Sequence, residues 1–311
     1  MEIINGVYPA IGDCDPDIKP DNYLMSYLSR SLKLGIAEYE KYANDGPANA
    51  PLINLMYFFP NTASALTTST SKIADEGLRS YFINAGVLTV RPKKATAFNM
   101  GATLKGGNNG EQHNHNDIGS FTIVVGDELL MGDPGLATYT SKTFSSERYS
   151  IKTLTSYGHP VPLLDGKLQL TGPKAKAEII STSFSEKEDK MVMDITSAYD
   201  VPGLKKMIRT FSYHRSDKGF LEVNDEVEFS SAKTFETALI TRSDWKQVSA
   251  NTIELAIGKE KMLVTITVPD NGFTLHAEVI TEAPKPYTRL GIRLNDTVKK
   301  CLVSMIFKEG E

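Results

Sequence analysis

Three of the chain's five histidines, His113, His115 and His159, stand close together, the first two in the run HNHNDIGSF, which continues into MGDPG. Two histidines with an aspartate between them in sequence, Asp133, make a donor set that a divalent transition metal, zinc before others, accepts with one position left for water. An HxH pair alone is a weak signal, because loop histidines also bond backbone carbonyls. The aspartate of GDPG and the histidine of SYGHPVPLLDG strengthen it, since Asp-Pro-Gly ends a strand sharply and presents its carboxylate in a fixed direction. Alternate residues of an extended strand share a face, so His113 and His115 are expected to point together, and Asp117 with them.

Strands must position these groups. Residues 121–125 and 128–131 read as a hairpin around Gly126 and Asp127, a Gly-first pair suited to a type II′ turn. With ideal pairing Asp133 sits opposite Ser120, roughly 17 Å from His115 at strand rise. HNHND must then bend back over the sheet instead of continuing the strand. In LEVNDEVEF, Leu221, Val223, Val227 and Phe229 alternate with polar positions, and MLVTITV, MVMDITSAY, KKMIRTFSYH and CLVSMIF read the same way. Repeated short strands without intervening helices predict an antiparallel sandwich of roughly a dozen or more strands over 78–311. Before it, Asp21 or Asn22 caps a segment in which Leu24, Leu28, Leu32, Ile36 and Tyr39 recur at helical spacing, and residues 51–59 form a second short apolar stretch. The fold class expected is mainly β: a large antiparallel β-sandwich (78–311) preceded by a short α-helical segment (1–77).

Composition narrows the partners. The 311 residues are 41% hydrophobic and 23% charged, as in a folded protein, and no apolar run approaches the roughly 20 residues that cross a bilayer, so no membrane partner is expected. A net charge of −4 argues against nucleic acid, and the basic stretches RPKK (91–94) and KEK (259–261) read as solvated loop ends. A disulfide between Cys14 and Cys301 is left open. The first residues have neither a basic n-region nor an apolar h-region, so they do not fix the compartment.

The segments HNHNDIGSF, LLMGDPG, TYTSKTFSSERY and SYGHPVPLLDGKLQ, in this order and spacing over about 111–170, resemble the C-terminal β-domain of the heparinase II/III-like polysaccharide lyases. A weaker similarity extends from YPAIGD near the start to the last strands. Members of that family join an α/α-toroid to a large antiparallel supersandwich, so the resemblance implies a supersandwich over 78–311 and a toroid remnant over 1–77. It implies zinc held by His115, Asp133 and His159 in a structural role, and His113 as an active-site histidine facing the substrate. Tyr139 and Tyr149 both fall where the family places an active-site tyrosine, with Tyr139 preferred. Arg148 would meet a substrate carboxylate, and Gln112, Asn114 and Asn116 would line the cleft.

The implied chemistry is β-elimination on a uronic-acid-containing acidic polysaccharide. The proton α to a carboxylate is barely acidic, so hydrogen bonds that neutralise the carboxylate make its abstraction feasible. The family keeps its principal catalytic tyrosine, and an Asn or His that neutralises the carboxylate, inside the toroid. No segment here matches those, so the chain alone is expected to be a poor catalyst or none, and a full-length parent is expected to be periplasmic or secreted. A homodimer is one assembly the sequence leaves open.

Two other readings stand beside it. One is a non-catalytic, zinc-stabilised glycan-binding or structural β-domain. The other is a cupin-like oxygenase, which needs a Glu about four residues after the second histidine; here Asp117 follows at two and Glu128 at thirteen. His214 and His276 read as structural histidines, and Trp245 as a packing residue.

Overall fold

The computed structural model describes residues 2–17, 77–94, 96–215, 218–269 and 272–310, with isolated positions 25, 28, 29 and 32. Met1–Ile18 and Leu78–Glu311 form one compact unit and Lys19–Gly77 a second. The helix expected after Asp21 or Asn22, with Leu24 to Tyr39 at helical spacing, and the apolar stretch at 51–59 fall on the second unit, outside the described residues apart from those isolated positions. No helix among the described residues is long and apolar enough to cross a membrane.

The first unit is built of antiparallel strands. A five-stranded sheet contains β1 (Arg79–Phe82), β2 (Val87–Val90) and β3 (Met100–Lys105). The short β4 (Asn108–Asn109) leaves it, and β5 (Phe121–Val125) and β6 (Glu128–Met131) complete it in the order β1-β2-β3-β5-β6. Then come β7 (Leu163–Leu164), β8 (Gly172–Lys176), which pairs with β4, β9 (Glu178–Phe184) and β10 (Glu188–Asp194). Further strands follow: β11 (Leu204–His214), β12 (Phe220–Lys233), β13 (Phe235–Thr241), β14 (Asp244–Ser249) and β15 (Thr252–Ile257). The last are β16 (Glu260–Thr267), β17 (Phe273–Ile280), β18 (Tyr287–Leu294) and β19 (Val298–Glu309). Eight of them form the sheet β14-β15-β16-β19-β12-β11-β10-β9, and four form β17-β18-β13-β7. This is the antiparallel β-rich architecture that the alternating segments predict. MVMDITSAY departs from it: its strand ends at Asp194, and Thr196–Ala198 make a 3-10 turn.

One apolar core joins the five- and eight-stranded sheets. Strand β12 sends Leu221, Val223, Val227 and Phe229 into it, with Asp225 buried on the same face, and leaves Glu222, Asn224, Glu226 and Glu228 half-exposed, as period-2 alternation requires. Phe121 of β5 packs edge-on between Phe211 and Phe307, with ring centroids 5.6 and 5.4 Å away. Burying one such ring stabilises the fold by about 1.5–3 kcal/mol. The other face of β5 is covered as well, because Val124 packs against Ile3 and Ile4. A Cβ at Gly101 would stand 3.0 Å from both of those side chains, so a glycine there lets the N-terminal strap lie close on the sheet. Arg91 secures the strap by donating to the carbonyls of Ile3 and Glu2. Arg91 is therefore buried, not part of a solvated basic loop end as its run of charges suggested.

Both cysteines are free. His214 stacks on Phe220 at 4.2 Å, and His276 lies exposed on β17. Trp245 is 38% exposed on the edge strand β14.

Candidate functional site

The hairpin β5–β6 forms where the sequence places it, with Gly126 at a φ of 60° in its turn. Its register is not ideal, however. An irregularity between Ile123 and Val124 sets Ile123 opposite Met131, so the strand leading to Asp133 gains a residue on its partner. The backbone N–H of Asp133 then reaches the Thr122 hydroxyl at 3.4 Å.

HNHND is an irregular loop, which corrects the expectation of alternating strand residues. His113 has a φ of 55°, in the left-handed region, and the segment turns back toward the sheet. Several bonds hold the turn. Gly119 N–H donates to Lys105 O and Ser120 N–H to Asp117 O, both at 2.9 Å. Gln169, wholly within the core, grips the backbone of Ile118 from both sides, accepting from its N–H at 3.0 Å and donating to its carbonyl at 2.8 Å. Arg209 lies beneath, fully buried and paired with Asp225, and donates to Gly119 O at 2.8 Å and Pro160 O at 2.6 Å. It thus ties the loop after His115 to the loop after His159.

These constraints bring His115, Asp133 and His159 together, with one potential ligand atom from each lying within 4.8 Å of the others. All three side chains are buried. His115 Nε2 lies 3.1 Å from Asp13 Oδ1, and His159 Nε2 lies 3.0 Å from Thr153 O. Both acceptors call for a protonated Nε2, which leaves each Nδ1 as a lone pair. Asp133 Oδ1 accepts from Gly135 N–H at 2.8 Å, the fixed direction expected of Asp-Pro-Gly. The atoms left over, His115 Nδ1, Asp133 Oδ2 and His159 Nδ1, are buried and have no hydrogen-bond partner among the described residues. Buried polar atoms without partners cost about 1–3 kcal/mol each, and three converging ones are what a bound cation would satisfy. The group can therefore hold a metal ion.

The electrostatics fit a cation. Burial pushes the Asp133 carboxyl well above the usual carboxylate range, and the negative Asp117 beside it adds to the rise. Burial also pushes His159 down to about 3, keeping it neutral and able to ligate. For Asp117 burial works upward, but the Lys105 ammonium, followed by His159 and His115, holds it below the ordinary range.

Beside this group lies a cleft of about 380 Å³ lined by Gly12, Asp13, Lys105, Gln112, His113, Asn114 and Tyr139, among others. Asp13, which sequence reasoning did not single out, is its centre. Asp13 Oδ2 lies 3.0 Å from His113 Nδ1 and accepts from the Tyr139 hydroxyl at 3.3 Å. Asp13 Oδ1 faces His115 and accepts from Arg148 Nη2 at 3.0 Å. Burial alone would raise this carboxyl, but the bonds from His115, Arg148 and His113 hold it far below the usual range. Tyr139 is raised, first by desolvation and then by the Asp13 charge, which keeps its phenol protonated.

The other expected residues are nearby but differently engaged. Arg148 also donates to the carbonyls of Asn114 and Thr143, at 2.9 and 3.0 Å, so its guanidinium is largely committed within the protein. Tyr149 donates to Asn114 Oδ1 at 3.2 Å, so it supports a cleft-lining residue without lining the cleft itself. Asn116 is buried, its backbone N–H bonded to Leu154 O, and it does not line the cleft. The only sequence sign of Asp13 was its place in YPAIGD, about a hundred residues before the histidines it binds.

No family model matches the sequence, and no curated protein matches it. Solved structures do. Heparan sulfate lyase HepC from Pedobacter heparinus superposes with a TM-score of 0.69 at 15% identity, covering 99% of this chain and 45% of its own. A heparinase III, the BT4657 gene product with methylated lysines, gives 0.68 at 14% identity, covering 98% and 43%. A further heparinase III structure gives 0.66 at 14% identity, covering 99% and 46%. This chain thus spans less than half the length of these structures, and over that span it has the fold of heparinase III and heparan sulfate lyase.

Proposed function

We propose that this chain is the β-domain of a polysaccharide lyase that cleaves an acidic, uronic-acid-containing glycan by β-elimination, with zinc at His115, Asp133 and His159. The carrying observation is the cleft in which His113 and Tyr139 share Asp13 Oδ2 next to three converging, unpartnered ligand atoms. The fold shared with proteins described as heparinase III and heparan sulfate lyase supports the substrate class.

In this reading zinc is structural: it neutralises Asp133 and holds the two loops that carry the histidines. His113, whose Nδ1 faces Asp13, offers Nε2 to the C5 proton. As that proton leaves, the C4–O4 bond breaks, its electrons depart with O4, and a C4–C5 double bond forms. The protonated phenol of Tyr139 suits delivery of a proton to O4. On this reading Gln112 and Asn114, which line the cleft, hydrogen-bond the uronate carboxylate, and Arg148 adds positive charge behind them.

A second reading, a zinc-stabilised glycan-binding domain without turnover, is favoured by one observation: the Arg148 guanidinium is spent on Asp13 and two carbonyls. Incubation of a parent protein that includes the toroid with heparan sulfate and other uronic-acid glycans, followed by ultraviolet detection of unsaturated product, separates the two, because the chain alone is expected to turn over poorly on either reading. Turnover that falls at least tenfold in Tyr139→Phe supports the lyase. Saturable binding without unsaturated product moves the assignment to the binding domain.

A further inference from the structure

Asp13 meets four donors with two oxygens, and those donors belong to two groups of residues. One oxygen serves the metal ligand His115 and Arg148; the other serves the cleft residues His113 and Tyr139. Its side chain is 3% exposed, whereas that of His113 is 61% exposed, so a buried charge reaches a solvent-facing ring. The backbone reinforces the arrangement: Asp13 N–H donates to His113 O at 3.1 Å, clamping the strap to the loop. We propose that Asp13 is the positioning residue of this site, orienting the metal ligand His115 through one oxygen and fixing the tautomer of His113 through the other.

The chemistry follows from what a carboxylate can and cannot do. An ionised carboxylate only accepts, so each imidazole nitrogen facing it must carry a proton. His115 then holds its proton on Nε2 and presents a bare Nδ1 to the metal. His113 holds its proton on Nδ1 and presents a bare Nε2, on a largely exposed ring, to whatever enters the cleft. Hydrogen bonding from a metal-bound histidine to a carboxylate also makes the ligand more basic, and loss of such a partner weakens metal binding about 10–100-fold. One side chain thereby links metal retention to the state of the cleft histidine. The metal part of this inference rests on the proposed zinc site; the His113 part does not.

Asp13→Asn tests both parts, because Arg148 dictates how the amide must lie. Arg148 can only donate, so the asparagine oxygen must face it and His115, which turns the NH2 toward His113 and Tyr139. His113 must then accept at Nδ1 and move its proton to Nε2. Histidine-selective 15N labelling, read by long-range 1H–15N correlation at about pH 8, where an ordinary imidazole is neutral, reports each tautomer. Zinc affinity is read by competition with a chromophoric chelator.

The expected result is a protonated Nδ1 on His113 in the wild type, a protonated Nε2 in the variant, and zinc binding weakened about 10–100-fold. An unchanged His113 tautomer, or unchanged zinc affinity in a variant with the wild-type circular dichroism spectrum, overturns the proposal. Where the wild type itself takes up no zinc, the metal reading fails and the tautomer arm alone decides. Should the variant not fold, the wild-type spectrum decides: a proton on Nε2 of His113 overturns the assignment, and one on Nδ1 supports it.

Discussion

Removing Arg209 separates what stabilises the sandwich from what shapes the site. Arg209 and Asp225 face each other across β11 and β12 with both side chains fully buried, joined by two bonds of 2.7 and 2.6 Å. Arg209→Ala leaves Asp225 as an unpaired charge inside the core. Breaking such a pair costs about 3–5 kcal/mol. At about 2–4 °C per kcal/mol for a domain of this size, the melting temperature falls by ~6–20 °C. The carbonyls of Gly119 and Pro160 lose their donor in the same step. Replacing the pair together, Arg209→Met with Asp225→Leu, removes the stranded charge. Buried pairs exchanged for apolar residues are often neutral or better, so by urea unfolding the double variant is expected to recover the cost of the stranded charge and keep only that of the two donorless carbonyls, about 1–3 kcal/mol each. Its site remains unpinned, and zinc affinity stays about 10-fold or more below wild type by chelator competition. A single variant within about 1 kcal/mol of wild type would refute the energetic argument. A double variant that binds zinc as tightly as wild type would refute the positioning argument.

Acid should destabilise the metal-free chain through His159. Its folded value, about 3, lies below the unfolded value of 6.5, so between those pH values the unfolded chain binds more protons, and stability is lost as pH falls from about 6.5 toward 3. Urea midpoints that hold constant over that window in the wild type, or fall equally in His159→Gln, would contradict the assignment. Gly12 has a φ of 66°, and an added Cβ would stand 2.6 Å from His113 O, whereas Gly166, at 70°, has nothing within 4 Å. Both alanine variants carry the backbone penalty of about 1–3 kcal/mol, but only Gly12→Ala should also weaken zinc binding. Equal zinc affinity in the two would show that the strap can shift without disturbing the loop.

What the sequence showed follows the range of the forces involved. The hairpin at 121–131 and the alternation of β12 were legible because turn chemistry and period-2 burial act over a few residues. The ligand trio was legible as a set of residue types, but its convergence was not. That depends on a register irregularity at Ile123/Val124, a left-handed His113, and the grip of Gln169 and Arg209 on backbone carbonyls far away in sequence. Asp13 was missed for the same reason: an aspartate in a Gly/Asp-rich strap reads as a turn residue until the fold lays it against His113 and His115. Arg148 was expected to face a substrate carboxylate, and sequence gave no hint that a protein carboxylate already occupies it.

Metal content decides whether His115, Asp133 and His159 form a metal centre. Elemental analysis of the chain, purified without chelator and measured beside His115→Ala, should find about one zinc per chain in the wild type and a loss of it in the variant. No metal in either protein, or equal zinc in both, would contradict the account.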